Sequence, residues 1–297
     1  MKGIFTALLT PFLENGTVDE LALRQMVRHN IDKMNINGLY IGGSTGEAFL
    51  MNESERVRVL EIVKDEAKDA ITLIAQIGSL NLEESIRIGQ AAKRLGYQAV
   101  SAITPYYYRF TFEEILAFYN DLCQAVGHPM IVYSNPSMSG SNFDLNKYEQ
   151  LLSIEHVIGV KYSDADVAKF ERLTTYFKDK LFYYGYDEIS IVGFLLGADG
   201  VIGSTYNLTG NSVKAMVALL ESGSVQKARK LQGQITNCIE LIVNNNLYPT
   251  LKGLLSLEGV NASYMKKPFG ELNANQKANL QNILDEIKKL EAFEKTL

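Results

Sequence analysis

The chain has 297 residues, of which 46% are hydrophobic and 21% are charged, and its formal net charge at pH 7 is −5. This composition is typical of a globular protein with a large core, and the lack of a basic cluster argues against nucleic acid as a partner. No apolar run approaches the roughly 20 residues that a membrane-spanning helix requires, so no membrane partner is predicted.

The two cysteines, Cys123 and Cys238, fall in helical patterns that lie far apart in the sequence. This arrangement favours buried, reduced thiols over a disulfide. The first eleven residues hold only a short, interrupted apolar run, which indicates a strand rather than a signal peptide. We therefore expect a cytoplasmic protein.

Short apolar runs alternate with helix-length amphipathic segments from the start of the chain. The apolar runs predict eight strands, at residues 3–9, 38–41, 72–76, 99–103, 130–133, 157–161, 181–184 and 201–203. The amphipathic segments predict eight helices, at residues 18–34, 52–68, 82–95, 111–126, 145–152, 166–177, 188–196 and 212–220. Strict alternation indicates a parallel sheet with right-handed crossovers, and eight such units favour an α/β fold that closes into a (β/α)8 TIM barrel.

The rest of the chain predicts three further helices, at residues 225–244, 249–258 and 274–294. No linker composition precedes them, so they are expected to pack on the barrel rather than to form a tethered domain. We predict a barrel of residues 1–222 and a C-terminal helical extension of residues 223–297.

The sixth predicted strand ends at a lysine, Lys161, after a run of apolar and β-branched residues. Taken alone, such a lysine is most simply a strand end whose ammonium reaches water. The alternative is a nucleophilic amine, its pKa lowered by apolar surroundings, that forms a Schiff base with a carbonyl substrate. Active sites of such barrels lie at the C-terminal ends of the strands, so the position of Lys161 favours the nucleophile.

Hydroxyls, phenols and an acidic pair follow the other strands at the same end of the barrel: Ser44, Thr45, Tyr107, Tyr133, Ser163, Asp187, Glu188 and Ser204. A phenol such as Tyr133 can donate and accept the protons that Schiff-base chemistry requires, and Ser44 and Tyr107 could relay them. Backbone N–H groups and hydroxyls of residues 42–47 can hold a carboxylate. No His or Cys joins the set, so neither a metal site nor a Ser-His-Asp triad is predicted. The chemistry favoured is that of a class I aldolase, which needs no metal or organic cofactor.

Four motifs carry a resemblance to a known family: GGSTGE at residues 42–47, Tyr133 before Pro136, GVK at residues 159–161, and residues 197–204. Together they resemble the N-acetylneuraminate lyase and dihydrodipicolinate synthase family, over residues 3 to about 270. The resemblance implies pyruvate as the common substrate and usually a homotetramer. It implies that Lys161 is the Schiff-base lysine and Tyr133 the general acid/base. Ser44 and Thr45 would hold the pyruvate carboxylate, and Tyr107 would extend into a neighbouring subunit and take part in its proton relay.

Substrate choice distinguishes the members of this family. The synthases usually carry an arginine two residues after Pro136 as a carboxylate clamp, and here Met138 cannot replace it. Residues that match the sugar-binding positions of the lyases are Gly185, Asp187, Glu188 and Ser204, with Ser163 in place of a usual threonine and Tyr248 as an aromatic against the substrate. The resemblance thus implies cleavage of N-acetylneuraminate to pyruvate and N-acetylmannosamine.

Two departures from the lyase pattern leave the sugar preference open: Ser134-Asn135 where Asn-Ile is common, and Tyr162 after Lys161. The first alternative is another pyruvate-dependent aldolase of the same family, acting on a different 2-keto-3-deoxy acid. The second is a 4-hydroxy-tetrahydrodipicolinate synthase. A third, of a different class, is a non-catalytic protein that binds keto acids or sugar acids. The presence of both Lys161 and Tyr133 argues against the third.

Overall fold

The structure of this chain is a computed structural model, and it describes residues 1–262 and 264–297. Eight parallel strands form a closed barrel in chain order, and the first strand pairs with the eighth. The strands are β1 Gly3–Ala7, β2 Gly38–Ile41, β3 Thr72–Gln76, β4 Ala99–Ile103, β5 Met130–Ser134, β6 Val157–Tyr162, β7 Leu181–Tyr184 and β8 Gly200–Gly203. The predicted (β/α)8 barrel with a C-terminal helical extension is confirmed.

Helices connect and surround the strands: α1 Glu20–Arg28, α2 Glu53–Ala67, α3 Leu82–Arg94, α4 Phe112–Val126, α5 Pro136–Ser139, α6 Leu145–Leu152, α7 Val167–Tyr176, α8 Ser190–Leu195 and α9 Tyr206–Glu221. Several begin at polar N-cap residues whose side chains accept backbone N–H groups of the first turn. Before α2, the Asn52 side chain accepts the backbone N–H of Glu55, and the Glu55 side chain accepts the N–H of Asn52. This capping box satisfies two donors that the first helical turn leaves free.

Three helices complete the chain: α10 Val225–Asn244, α11 Leu247–Leu257 and α12 Ala274–Glu294. Their bounds agree with the predicted ones within two residues, and α10 packs along α9. The domain boundary between residues 222 and 223 stays a prediction. Among the described residues, no helix combines the length and the apolar character that crossing a membrane would take.

The core has two layers. Alternate strand residues point outward and pack against the helices, while the others point inward and fill the barrel, as period-two side chains on parallel strands require. The inward layer is largely aromatic and branched: Phe5, Ala7, Tyr40, Ile74, Ala99, Ile103, Ile131, Tyr133, Tyr183 and Ile202. Because these side chains fill the barrel interior, a substrate could enter the barrel only at one of its two ends.

Four elements differ most from the sequence-based predictions. The predicted helix over residues 18–34 is α1 only as far as Arg28 and continues as a π-helix, His29–Lys33, and β1 ends two residues before the predicted end. The one-turn helix α5 was not predicted, because four residues are too few to display a helical period. Helix α9 begins at Tyr206, six residues before the predicted start, since its first turns are buried and show no polar face. The Asn207 side chain there donates to the backbone carbonyls of Ala7 and Ser204, at 2.9 and 2.7 Å, and so ties α9 to the end of β1.

Candidate active site

A cavity of about 150 Å3 opens at the carboxyl ends of the strands. Nine of the residues singled out from the sequence line it: Ser44, Thr45, Tyr133, Lys161, Ser163, Gly185, Asp187, Ser204 and Tyr248. They come from five different strand ends and from α11. Closing the barrel is therefore what brings them together.

Lys161 lies near the end of β6 with only 6% of its surface exposed. The register of β5 and β6 sets Tyr133 directly beside it. Its Nζ atom lies 3.5 Å from the centre of the Tyr133 ring and 4.7 Å from that of Tyr40. A strand-end lysine that reaches water does not fit this burial, so the amine is instead presented to the cavity between two aromatic rings.

Tyr133 is buried, and its phenol oxygen receives a hydrogen bond from Nδ2 of Asn135 at 3.3 Å. Burial raises the pKa of Tyr133, but the positive charge of Lys161 and hydrogen bonds from Asn135, Lys161 and Ser163 outweigh it. The net pKa of this phenol lies below its ordinary value. A phenol held in this way gives up its proton more readily than a free phenol, as an acid/base catalyst requires.

The loop after β2 forms a 3-10 turn, Ser44–Gly46, that faces the cavity. Its entry, Gly42, has a positive φ of 76°, a conformation that glycine adopts without strain. The Thr45 hydroxyl shares a hydrogen bond of 2.7 Å with the Ser204 hydroxyl, which joins the loops after β2 and β8. Ser44 and Thr45 thus stand where a small anion would meet hydroxyls and backbone N–H groups.

Glu47, the last residue of the GGSTGE motif, turns away from the cavity. It adopts a left-handed conformation with φ of 56° and is fully buried. One carboxylate oxygen pairs with Nζ of Lys252 on α11 at 2.5 Å, and the other accepts the backbone N–H of Lys266 at 2.7 Å. Lys252 also donates to the carbonyl of Tyr264 at 2.8 Å. The C-terminal extension is thereby fastened to the loop that carries Ser44 and Thr45.

Asp187 occupies the other side of the cavity and is 8% exposed. One of its oxygens accepts the backbone N–H of Thr205 at 2.9 Å and the Thr205 hydroxyl at 2.7 Å. Burial raises the pKa of Asp187 to about 6, although the bonds from Thr205 oppose the rise. A Cβ atom on Gly203 would lie 2.0 Å from Oδ1 of Asp187, so only glycine fits at that position.

Tyr248 reaches the cavity from α11, and its ring packs edge-to-face on Phe269 at 5.8 Å. Two predicted site residues do not line the cavity. Glu188 is half-buried beside Asp187, and its carbonyl accepts hydrogen bonds from Gln232 and Thr236. Tyr107 is 83% exposed, with a φ of 74°, and lines a neighbouring groove.

The cavity is also lined by residues that were not among the predicted site residues, namely Tyr40, Asn135, Ser137, Met138 and Tyr186; of these, Met138 was singled out from the sequence only as a residue that cannot clamp a carboxylate. Tyr40 could have been found, because it occupies an inward position of β2. Ser137 could not, since its place depends on a turn that no periodic pattern reveals. Among the described residues, no group of three or more His, Cys, Asp or Glu side chains is arranged to hold a metal ion.

Comparisons with known proteins agree on one family. The model of the dihydrodipicolinate synthetase family matches residues 1–287. The N-acetylneuraminate lyase of Fusobacterium nucleatum is 44% identical over 276 residues, which cover 93% of this chain and 95% of the relative. The crystal structure of CdNal from Clostridium difficile, in complex with mannosamine, has a TM-score of 0.95 at 40% identity and covers 97% of this chain and 99% of its own. The F. nucleatum lyase complexed with pyruvate has a TM-score of 0.93 at 42% identity and covers 97% of each chain.

Proposed function

We propose that this chain, which belongs to the dihydrodipicolinate synthetase family, is a class I aldolase that cleaves N-acetylneuraminate to pyruvate and N-acetylmannosamine. The observation that carries the proposal is the buried amine of Lys161, held at the cavity against the ring of Tyr133. A buried amine in contact with a phenol is the arrangement that carbonyl chemistry through a Schiff base requires. No external cofactor takes part in this reaction.

In the proposed reaction, neutral Lys161 attacks C2 of the open-chain keto acid, and Tyr133 donates a proton to the carbonyl oxygen. Loss of water from the resulting carbinolamine gives a protonated Schiff base. Tyr133, now ionised, takes the proton of the C4 hydroxyl, and the C3–C4 bond breaks with its electron pair moving into the Schiff base. N-acetylmannosamine leaves as the aldehyde. The enamine is then protonated at C3, and water hydrolyses the Schiff base to free pyruvate and Lys161.

The cavity offers different groups to the two ends of the substrate. Ser44 and Thr45, with the N–H groups of their turn, bind the carboxylate beside the reacting carbon. The hydroxyl-rich chain of the sugar is bound on the other side by Ser163, Asp187 and Ser204, with Gly185, Glu188 and Tyr248 completing that end. An ionised Asp187 accepts hydrogen bonds from sugar hydroxyls, which suits a polyhydroxyl substrate better than an apolar one.

The proposed assembly is a homotetramer in the cytoplasm. Tyr107 is too exposed to serve its own cavity, and its groove meets that cavity at Ser137 and Met138. In the proposal, Tyr107 extends from one subunit to the proton relay of the next. Cys123 and Cys238 are both buried and free, which suits a reducing compartment.

Met138 argues against the synthase alternative. It lines the cavity on α5 and is 63% exposed, and its thioether side chain offers no charge to a second substrate carboxylate. Ser137 and Asn135 beside it offer polar groups without charge. The wall formed by α5 therefore suits a hydroxylated aldehyde.

Borohydride trapping tests the chemistry. Incubation with pyruvate and borohydride is expected to add one reduced pyruvyl group at Lys161, located by mass spectrometry of peptides. The Lys161→Ala variant is expected to gain no adduct. A wild-type chain that stays unmodified would exclude the aldolase and leave a binding protein.

Pyruvate release tests the substrate. N-acetylneuraminate is compared with other 2-keto-3-deoxy acids at equal concentration, and the highest kcat/KM is expected for N-acetylneuraminate. Preferential cleavage of another acid would leave the aldolase chemistry intact and reassign the sugar.

A further inference from the structure

Asn135 lies between β5 and α5 and lines the cavity, and its side-chain amide contacts the phenol oxygen of Tyr133 at 3.3 Å. Building on the function proposed above, we propose that Asn135 is a positioning residue that orients the Tyr133 phenol and stabilises its ionised form. It makes no bond to the reacting carbon and acts only through Tyr133.

The orientation of the Asn135 amide is set by its neighbours. Its Oδ1 atom accepts a hydrogen bond from the Ser137 hydroxyl at 2.7 Å, which directs Nδ2 to Tyr133. Its backbone carbonyl accepts the N–H groups of Met138 and Ser139 at 3.1 and 2.9 Å. The one-turn helix α5 therefore holds the amide in a single direction, so little side-chain entropy is lost when Tyr133 ionises.

An amide N–H can only donate a hydrogen bond, and a phenolate can only accept one. Donation to the charged form is stronger than donation to the neutral form, so Asn135 favours the phenolate over the phenol. This effect opposes the burial that raises the pKa of Tyr133, and it acts together with the charge of Lys161.

The two stabilising groups differ in one respect that matters for the reaction cycle. The contribution of Lys161 depends on its positive charge, which is absent when the neutral amine attacks and again in the enamine. The amide of Asn135 is uncharged and unchanged throughout. Asn135 therefore keeps Tyr133 able to give and take protons at the stages when Lys161 does not assist.

The test measures the pKa of Tyr133 directly. The protein is labelled with [ζ-13C]tyrosine, and the Tyr133 resonance is identified by its loss in Tyr133→Phe. Asn135→Leu, which is similar in size and cannot donate, is expected to raise the pKa of Tyr133 by about one pH unit. Asn135→Asp, which is isosteric but adds a negative charge, is expected to raise it further.

The pKa of Tyr133 in the wild type and the two variants distinguishes a positioning role of Asn135 from a packing role. If Asn135 only fills space, Asn135→Leu should leave the pKa of Tyr133 unchanged, and the proposal is overturned. Asn135→Asp checks the contact itself: its charge raises the pKa of any phenol that it faces, so an unchanged Tyr133 pKa in that variant also overturns the proposal. If Asn135→Leu does not fold, Asn135→Ala, which also removes the donor and adds no charge, takes its place in the comparison.

A second readout ties the effect to catalysis. The high-pH limb of the kcat/KM profile, where Tyr133 loses the proton that it must donate, is expected to move upward in pH in Asn135→Leu by the same amount as the measured pKa of Tyr133. An unmoved limb, with the pKa raised, would overturn the catalytic part of the proposal. Pyruvate trapping at Lys161 is run on every variant. Failure of trapping in the wild type rejects the aldolase function, whereas the pKa of Tyr133 tests Asn135 independently of turnover.

Discussion

At the scale of single residues, Lys161 and Asp187 are both buried at the cavity, but in different surroundings. Lys161 lies against aromatic rings, whereas Asp187 is surrounded by donors from Thr205. A buried carboxylate remains costly even when hydrogen-bonded, which is why the pKa of Asp187 rises to about 6. Asp187 thus titrates within the physiological range.

This titration predicts a pH-dependent effect on stability. The pKa of Asp187 is higher in the folded chain than in the unfolded one, so its stabilising contribution is full below pH about 4 and is lost as pH rises through about 6. Asp187→Asn removes the cost of the buried charge. Relative to the wild type, the variant should gain up to ~3 kcal/mol in unfolding free energy between pH 4 and pH 7.5.

Melting temperatures of both proteins at pH 4, 5, 6 and 7.5 and constant ionic strength check this expectation. Asp166→Asn is the control. Asp166 caps α7 at the surface, and its pKa is lowered by the backbone N–H of Lys169, so it stays ionised throughout most of this range. A difference in melting temperature between the wild type and Asp187→Asn that does not change with pH would contradict the raised pKa of Asp187.

The site residues that could be predicted from the sequence are those whose positions depend only on where the strands end. Lys161 and Tyr133 end adjacent parallel strands, so their proximity follows from the order of the strands. The contact of Asn135 with Tyr133 and the buried partner of Glu47 were not predicted. Each depends on the path of a loop, and the direction of a loop side chain is set by contacts that no local pattern reports.

At the scale of elements, one face of α11 contacts both the cavity and the loop after β2. Tyr248 and Lys252 are four residues apart and therefore lie on the same side of the helix. Tyr248 reaches the cavity, and Lys252 pairs with Glu47 beneath the loop that carries Ser44 and Thr45. One helix thus sets the distance between the loop after β2 and the far wall of the cavity.

The Glu47–Lys252 pair is expected to be strongly coupled. Burial raises the pKa of Glu47 and lowers that of Lys252, and each charge counters the effect on the other. Removing one partner leaves the other charge buried and unpaired. Glu47→Gln and Lys252→Met should each lower the unfolding free energy by about 3–5 kcal/mol, and the double variant by clearly less than the sum.

Denaturant unfolding of the four proteins measures this coupling. The exposed pair of Arg87 and Glu53, at 2.7 Å, serves as the matched control, and its removal should change stability little. Additive losses for Glu47 and Lys252 would show that the two side chains act independently. The strands and helices that surround this pair were predictable from the hydrophobic period. The contact between Lys252 on α11 and Glu47 in the loop after β2 was not, because it depends on the path of that loop.

At the scale of the whole molecule, the proposed tetramer implies that one subunit completes the site of another. Tyr107 and Tyr108 project from the loop after β4 with 83% and 64% of their surfaces exposed. Tyr107 holds a positive φ, which a non-glycine residue adopts only when its surroundings or its role require it. Both observations suit a side chain that contacts a second copy.

Mixed assemblies test this arrangement. Tyr107→Phe is expected to lower kcat and Lys161→Ala to abolish it. In a mixed assembly, a site can combine the native Lys161 of one subunit with the native Tyr107 of the other. Co-expression of the two variants with different tags, and assay of the doubly purified protein, should give more activity per subunit than the average of the separate parents.

The control replaces Tyr107→Phe by Tyr108→Phe. Tyr108 is the neighbouring tyrosine and has no proposed part in the proton relay, so this variant should leave kcat unchanged. Activity of the mixed assembly equal to the average of its parents would indicate that Tyr107 serves only its own subunit, or none.

The closure of β1 on β8 has a consequence for the nascent chain. Gly3 donates to the carbonyl of Asp199 at 2.8 Å, and β1 pairs with β8 from Gly3↔Gly200 onward, so the barrel cannot close until about two hundred residues have been translated. Until then two strand edges stay open to other chains. Lys252 and Tyr248 emerge later still. A ribosome-bound chain that stalls before β8 would therefore expose two unpaired strand edges, and a chain that stalls between β8 and α11 would leave the buried Glu47 without its partner Lys252. Both should depend on chaperones far more than the finished protein does.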